Sequence, residues 1–211
     1  ANTEANDNTA VGNSALTSNT TGNSNTAVGV SSSKTGTTAS DNTSVGFCSL
    51  YSVTTGGANV ALGTCALKAN TTATQNTAVG KDALDANTIG CRNTAVGYNS
   101  LGANTDGNFN TAVGRSALAT NTTGDNNVSV GYSSLQNSTT SSGNSSVGME
   151  SMFLNTTGAN NTAMGLCSLR ATTEGSVNTA IGTTALQSTP TGGSNPDLGQ
   201  SLLSFNHTTS Y

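Results

Sequence analysis

The sequence repeats itself every 17 residues, without one insertion or deletion along its length. Asn-Thr-Ala-Val-Gly starts at Asn8, Asn25, Asn76, Asn93 and Asn110, and near-copies start at Asn42, Asn59, Asn127, Asn144, Asn161 and Asn178. The segment from Asn195 keeps the register, so twelve full units follow the partial one at residues 1–7. A fixed period of this kind marks a stacked repeat architecture, and 17 residues are too few for two helices and a turn, which take about 30 or more. β-branched residues beside a regularly placed Gly suit short strands instead. The expectation is an all-β chain, a parallel β-solenoid or β-roll with one 17-residue coil per unit. Coils about 4.8 Å apart would give a rod about 58 Å long.

Numbering each unit from its Asn, position 1 is Asn and position 5 is Gly in all twelve. Position 4 is always apolar (Val11, Leu62, Met164, Ile181 and their equivalents), and position 9 is apolar everywhere except at Ser33. Positions 2 and 4 share one face of a strand and position 3 takes the other. With the large apolar residue taken as interior, positions 2 and 4 are expected inside and the small residues of position 3 (Ala10, Ala27, Ser44) outside. Leu at position 9 would then meet the position 4 row across the core.

The Asn row, Asn8, Asn25, Asn42, Asn59, Asn76, Asn93, Asn110, Asn127, Asn144, Asn161, Asn178 and Asn195, reads first as a stacked ladder of side-chain amides. A ligand-binding role is its alternative. Three segments follow from the register: a partial coil at 1–7, eleven regular coils over 8–194, and a degenerate coil at 195–211. In the last of these Pro196 removes a ladder donor, Asp197 replaces a small residue, and Phe205 and Tyr211 add aromatics, as a cap or a subunit junction would.

Composition excludes several classes. Charged residues make up 8% of the chain, six are Lys or Arg, and the net charge is −4, so no basic stripe exists to bind nucleic acid. Apolar runs are only a few residues long, far short of the roughly 20 a membrane span takes, so no membrane insertion is expected. Catalysis needs titratable groups converging on a pocket. Here the only His is His207, and the carboxylate pair Asp82 and Asp85 reads as a solvated turn. The four Cys show no zinc-ligand spacing, and the glycines belong to the repeat rather than to a phosphate loop. No catalytic residue, metal site or cofactor is expected, and the chain is read as a non-enzyme.

Asn-Thr-Ala-Val-Gly-x-x-Ala-Leu, as at 76–84 and 110–118, resembles the head repeats of trimeric autotransporter adhesins of the YadA type. It is similar as well to repeats in fibres of some phages and large algal viruses. The resemblance implies a left-handed roll, usually trimeric, displayed outside a cell or virion, with the small position 3 row between the rolls. The unit departs from the family's shorter, variable repeat in its strict 17-residue length, and no family binding residue transfers. The expected partners are copies of the same chain, as a homotrimer or head-to-tail filament, and a cell-surface glycan or protein receptor.

Four finer expectations remain. Cys48 and Cys65 both take position 7 in consecutive units, so stacked Cα atoms about 4.8 Å apart would permit a disulfide suited to an extracellular setting. Ordinary small core residues are the alternative. Asn19, Asn70, Asn121, Asn155 and Asn206 head sequons at position 12, on an expected exposed turn, and would align glycans. Thr fills position 13 in ten units and position 14 in nine, but adjacent residues face opposite ways, so these rows lack the Thr-x-Thr spacing of an ice-binding face. Tyr132, Met149, Glu150, Met152 and Phe153 break the repeat and would form an adhesive patch.

Overall fold

The computed structural model describes residues 4–188 and 191–199. It is an all-β parallel solenoid with one three-residue strand per coil. The chain forms two compact units, Ala1–Asp106 and Gly107–Tyr211. The first holds β1 (Thr9–Val11), β2 (Thr26–Val28), β3 (Thr43–Val45), β4 (Val60–Leu62), β5 (Thr77–Val79) and β6 (Thr94–Val96). The second holds β7 (Thr111–Val113), β8 (Val128–Val130), β9 (Ser145–Val147), β10 (Thr162–Met164), β11 (Thr179–Ile181) and β12 (Pro196–Leu198). Within each unit consecutive strands pair in parallel, each residue opposite the one 17 places on, as in Thr77↔Thr94 or Thr162↔Thr179. The strict period is what this register requires, because a one-residue slip would turn every side chain to the opposite face.

The strand faces are inverted relative to the sequence expectation. Position 3 is the interior row: Ala27, Ala61, Ala95, Ala112 and Ala163 are all 0% exposed. Positions 2 and 4 point outward, with Leu62 45% and Met164 46% exposed. The reason is the thinness of the coil. Position 3 lies against the small buried residues of position 8: Ser129 donates to the carbonyl of Ser134 at 2.7 Å, and Ser134 donates to Ser146 Oγ of the next coil at 2.8 Å. Walls this close admit Ala or Ser and exclude Val. The one large interior row is position 9, Leu50 through Leu186, with Met152 filling the same place. The adhesive-patch expectation therefore fails for Met152, which is fully buried.

The corners turn on left-handed backbone. In the described coils positions 7, 9 and 17 have positive φ, and Gly143 in the eighth is the one glycine among them; in the fifth, Asp82 is at 57°, Leu84 at 50° and Arg92 at 59°. Each non-glycine residue there costs about 1–2 kcal/mol. Hydrogen bonds to neighbouring coils offset that cost: Asp82 donates to Thr64 O and Leu84 to Ser100 O, both at 3.0 Å. Val177 is the least suited occupant, a β-branched residue at φ 60°, 57% exposed. Val177→Asn is expected to stabilise its unit by about 1 kcal/mol, since Asn tolerates this conformation. An unchanged or lower melting temperature would refute that.

Candidate functional site

The Asn row is built more firmly than an amide ladder. Within each compact unit the side-chain oxygens accept the backbone N–H of the Asn one coil on: Asn42 from Asn59 at 3.0 Å, Asn76 from Asn93 at 2.8 Å, Asn144 from Asn161 at 2.9 Å. From Asn8 to Asn76 and from Asn110 to Asn178 the Nδ2 donates to the carbonyl 14 residues on, as Asn76 does to Gly90 at 2.9 Å. Amide-to-amide bonds join some neighbours, such as Asn59 to Asn42 and Asn178 to Asn161. Asn25, Asn42, Asn59, Asn76 and Asn93 in the first unit, and Asn110 through Asn178 in the second, are buried. These buried asparagines form internal framework.

The position 12 asparagines are buried too, against the expectation of an exposed glycosylated turn. Asn19, Asn70, Asn121 and Asn155 are at most 2% exposed, and their Nδ2 atoms donate to Gly22, Ala73, Gly124 and Gly158. The same carbonyls receive the position 1 amides, so two Asn rows converge on one backbone oxygen. A glycan on any of these nitrogens would require the coil to open. Asn206 lies outside the described residues, as do His207, Phe205 and Tyr211. The Thr row at position 13 is a hydroxyl ladder, Thr54 donating to Thr71 O and Thr71 to Thr88 O, both at 3.1 Å.

Cys48 and Cys65 sit on adjacent coils, half-buried, and are free thiols. Both have left-handed backbone (φ 52° and 59°) and donate to the preceding coil in the same way, to Val30 O and Phe47 O. Equivalent backbones keep the Cβ vectors parallel and the Cβ atoms one coil spacing, about 4.8 Å, apart. A relaxed disulfide takes about 3.5–4.5 Å between Cβ atoms, so a bridge would need the two corners to draw together. Burial pushes the Cys65 thiol up from its ordinary pKa, opposed by Lys68 and reinforced by Asp82 and Cys48. Asp82 pairs with Lys81 at 3.0 Å, while burial and then Asp82 raise Asp85. Among the described residues no three His, Cys, Asp or Glu side chains gather as metal ligands would, and no helix is long and apolar enough to cross a membrane.

What the described surface offers is the outward sheet face. On each unit, position 2 presents mostly Thr and position 4 an unbroken apolar row, two uncharged lines about 6.6 Å apart with a step of about 4.8 Å. Beside them, position 6 exposes Val30, Phe47 (55%) and Tyr98 in the first unit, and Tyr132, Met149 and Leu166 in the second. Cations stack on several corner rings: Lys81 is 5.4 Å from the Tyr98 centroid, and Arg115 is 5.7 Å from that of Tyr132. Arg170 covers Phe153 at 5.2 Å and donates to Glu150 at 2.8 Å, so these two members of the expected patch are engaged within the chain. Contiguous exposed apolar surface of this kind marks an interaction site. No family model, curated protein or solved structure matches this chain.

Proposed function

We propose that this chain is a structural, non-enzymatic segment of an extracellular fibre in which solenoids associate laterally, copy against copy, through the outward sheet face. The observation that carries this reading is the uncharged apolar row at position 4, flanked by the bulky apolar residues of position 6. Positions 2 and 4 carry no charge, and the two cations of the position 6 row, Lys81 and Arg115, lie over the rings of Tyr98 and Tyr132. A second copy carries the same 17-residue translation and so matches it coil for coil. The likeness of the repeat to head and fibre repeats of adhesins and viruses supports the same setting.

The test is sedimentation of the purified chain beside the double variant Leu62→Lys, Val96→Lys. Both side chains lie on the outward face, so circular dichroism should not change. The wild type is expected to sediment as a multimer and the variant as single chains. A wild type that stays monomeric at high concentration, or a variant that still assembles, sinks the proposal.

One observation favours a second reading, ice binding. Thr at position 2 and Val at position 4 make two outward rows in register, which the position 13 and 14 threonines do not supply. Faceted ice growth in the presence of single chains would establish it. The protruding Phe47, Tyr98 and Tyr132 beside those rows suit a protein partner better than a flat lattice.

A further inference from the structure

We propose that Cys48 and Cys65 form a two-coordinate site for a soft, thiophilic cation of the Cu(I) type. Both are free and half-buried, and their equivalent backbones place one residue directly above the other on adjacent coils, about 4.8 Å apart along the stack. Two metal–thiolate bonds of the length zinc makes, about 2.3 Å each, span about 4.6 Å end to end. A near-linear S–M–S unit of that length matches the spacing of adjacent coils. Thiolates select soft ions of this kind over hard ones.

The surroundings fix the coordination number. On one side of the pair the row continues with Asp82, held by Lys81 at 3.0 Å; on the other it continues with Ser31. With no third soft donor in the row, a four-coordinate thiolate site of the zinc type is not assembled. Binding exchanges two thiol protons for one cation and leaves a bis-thiolate complex, with no change of oxidation state. The other two cysteines serve as internal controls. Cys167 has Glu150 and Thr184 as its row neighbours, and Cys91 Sγ accepts the Thr74 N–H at 3.3 Å.

The full reduced chain would be titrated anaerobically with Cu(I) against a chromophoric Cu(I) chelator. One Cu(I) per chain is expected, with affinity falling about 100-fold in Cys48→Ser and in Cys65→Ser alike, because the second bond is an intramolecular closure. Cys91→Ser and Cys167→Ser should match the wild type. Affinity retained in either single variant of the pair, or a wild type that never competes with the chelator, overturns the site. Rapid loss of two hydrogens between Cys48 and Cys65 under a mild thiol oxidant would overturn the fixed spacing on which it rests.

Discussion

Gly80→Ala is expected to prevent the first unit from folding at its middle coils. Gly80 has φ +136°, a region side chains rarely enter, and a Cβ there would lie 2.5 Å from the carbonyl oxygen of Gly97 and 2.7 Å from its carbon. Both are backbone atoms of the next coil, so no rotamer change relieves the collision. Backbone strain and overpacking together are worth about 4 kcal/mol or more. That is a large fraction of the roughly 5–15 kcal/mol by which domains are stable. The control is Gly36→Ala, whose Cβ would meet Val53 Cγ1 at 3.4 Å and Ser33 O at 3.6 Å. It should melt within about 1 kcal/mol of the wild type. A Gly80→Ala chain that melts like the control would mean the coils are not stacked as closely as described.

Asn76→Ala is expected to cost about 2–4 kcal/mol, from an orphaned donor plus the space left behind. The Asn76 side chain accepts the Asn93 N–H at 2.8 Å and donates to Gly90 O at 2.9 Å. Gly90 O keeps the Asn87 amide at 2.9 Å, so the main loss is the buried N–H of Asn93. Hydrogen exchange at that amide should rise with the drop in stability.

Asn76→Asp separates acceptor from donor. It retains an oxygen for Asn93 but sets a buried carboxylate against Gly90 O. Burial raises such a group's pKa in the folded state above its unfolded value. The stability it contributes is then fully present below the unfolded pKa of about 3.9 and lost as pH rises through the folded pKa. This variant should be weak at neutral pH and recover in acid, while Asn76→Ala stays weak at both. An alanine variant within about 0.5 kcal/mol of the wild type would remove the Asn row from the account of stability, since ordinary surface changes reach that size.

Much of the fold was legible because the period forces it. Identical residues 17 apart with no slip can be satisfied only by stacking, and the invariant Asn and Gly marked the stacked corners. The phase of the strand was misread because the largest apolar residue was assumed to be inside. The better signal was size tolerance. Position 3 admits only Ala or Ser in eleven units, as a thin interior requires, whereas position 4 ranges over Val, Leu, Ile and Met, as an outer face allows. Asn19 and Asn70 looked like loop residues because Asn favours turns, yet the turn folds inward and consumes the amide. Position 5 announced its positive φ through Gly, but Leu84 and Asp82 carry theirs without any such mark. There neighbouring coils impose the conformation against local preference. Register put the cysteine pair on adjacent coils, while the direction of the Cβ vectors, which bears on bridging, is not contained in the Cα spacing.

The backbone hydrogen bonds joining coil to coil, the Asn and Thr side-chain bonds and the stacked Leu row all hold each coil to the next along the stacking direction. Tension applied along that direction loads every interface in the stack, and the coils detach one after another rather than all together. Each detached coil would release about 50 Å of slack chain while its neighbours stay folded. Such a unit yields in small, equal increments and can dissipate a pull without failing as a whole, which is the behaviour of a shock absorber and not of a rigid strut.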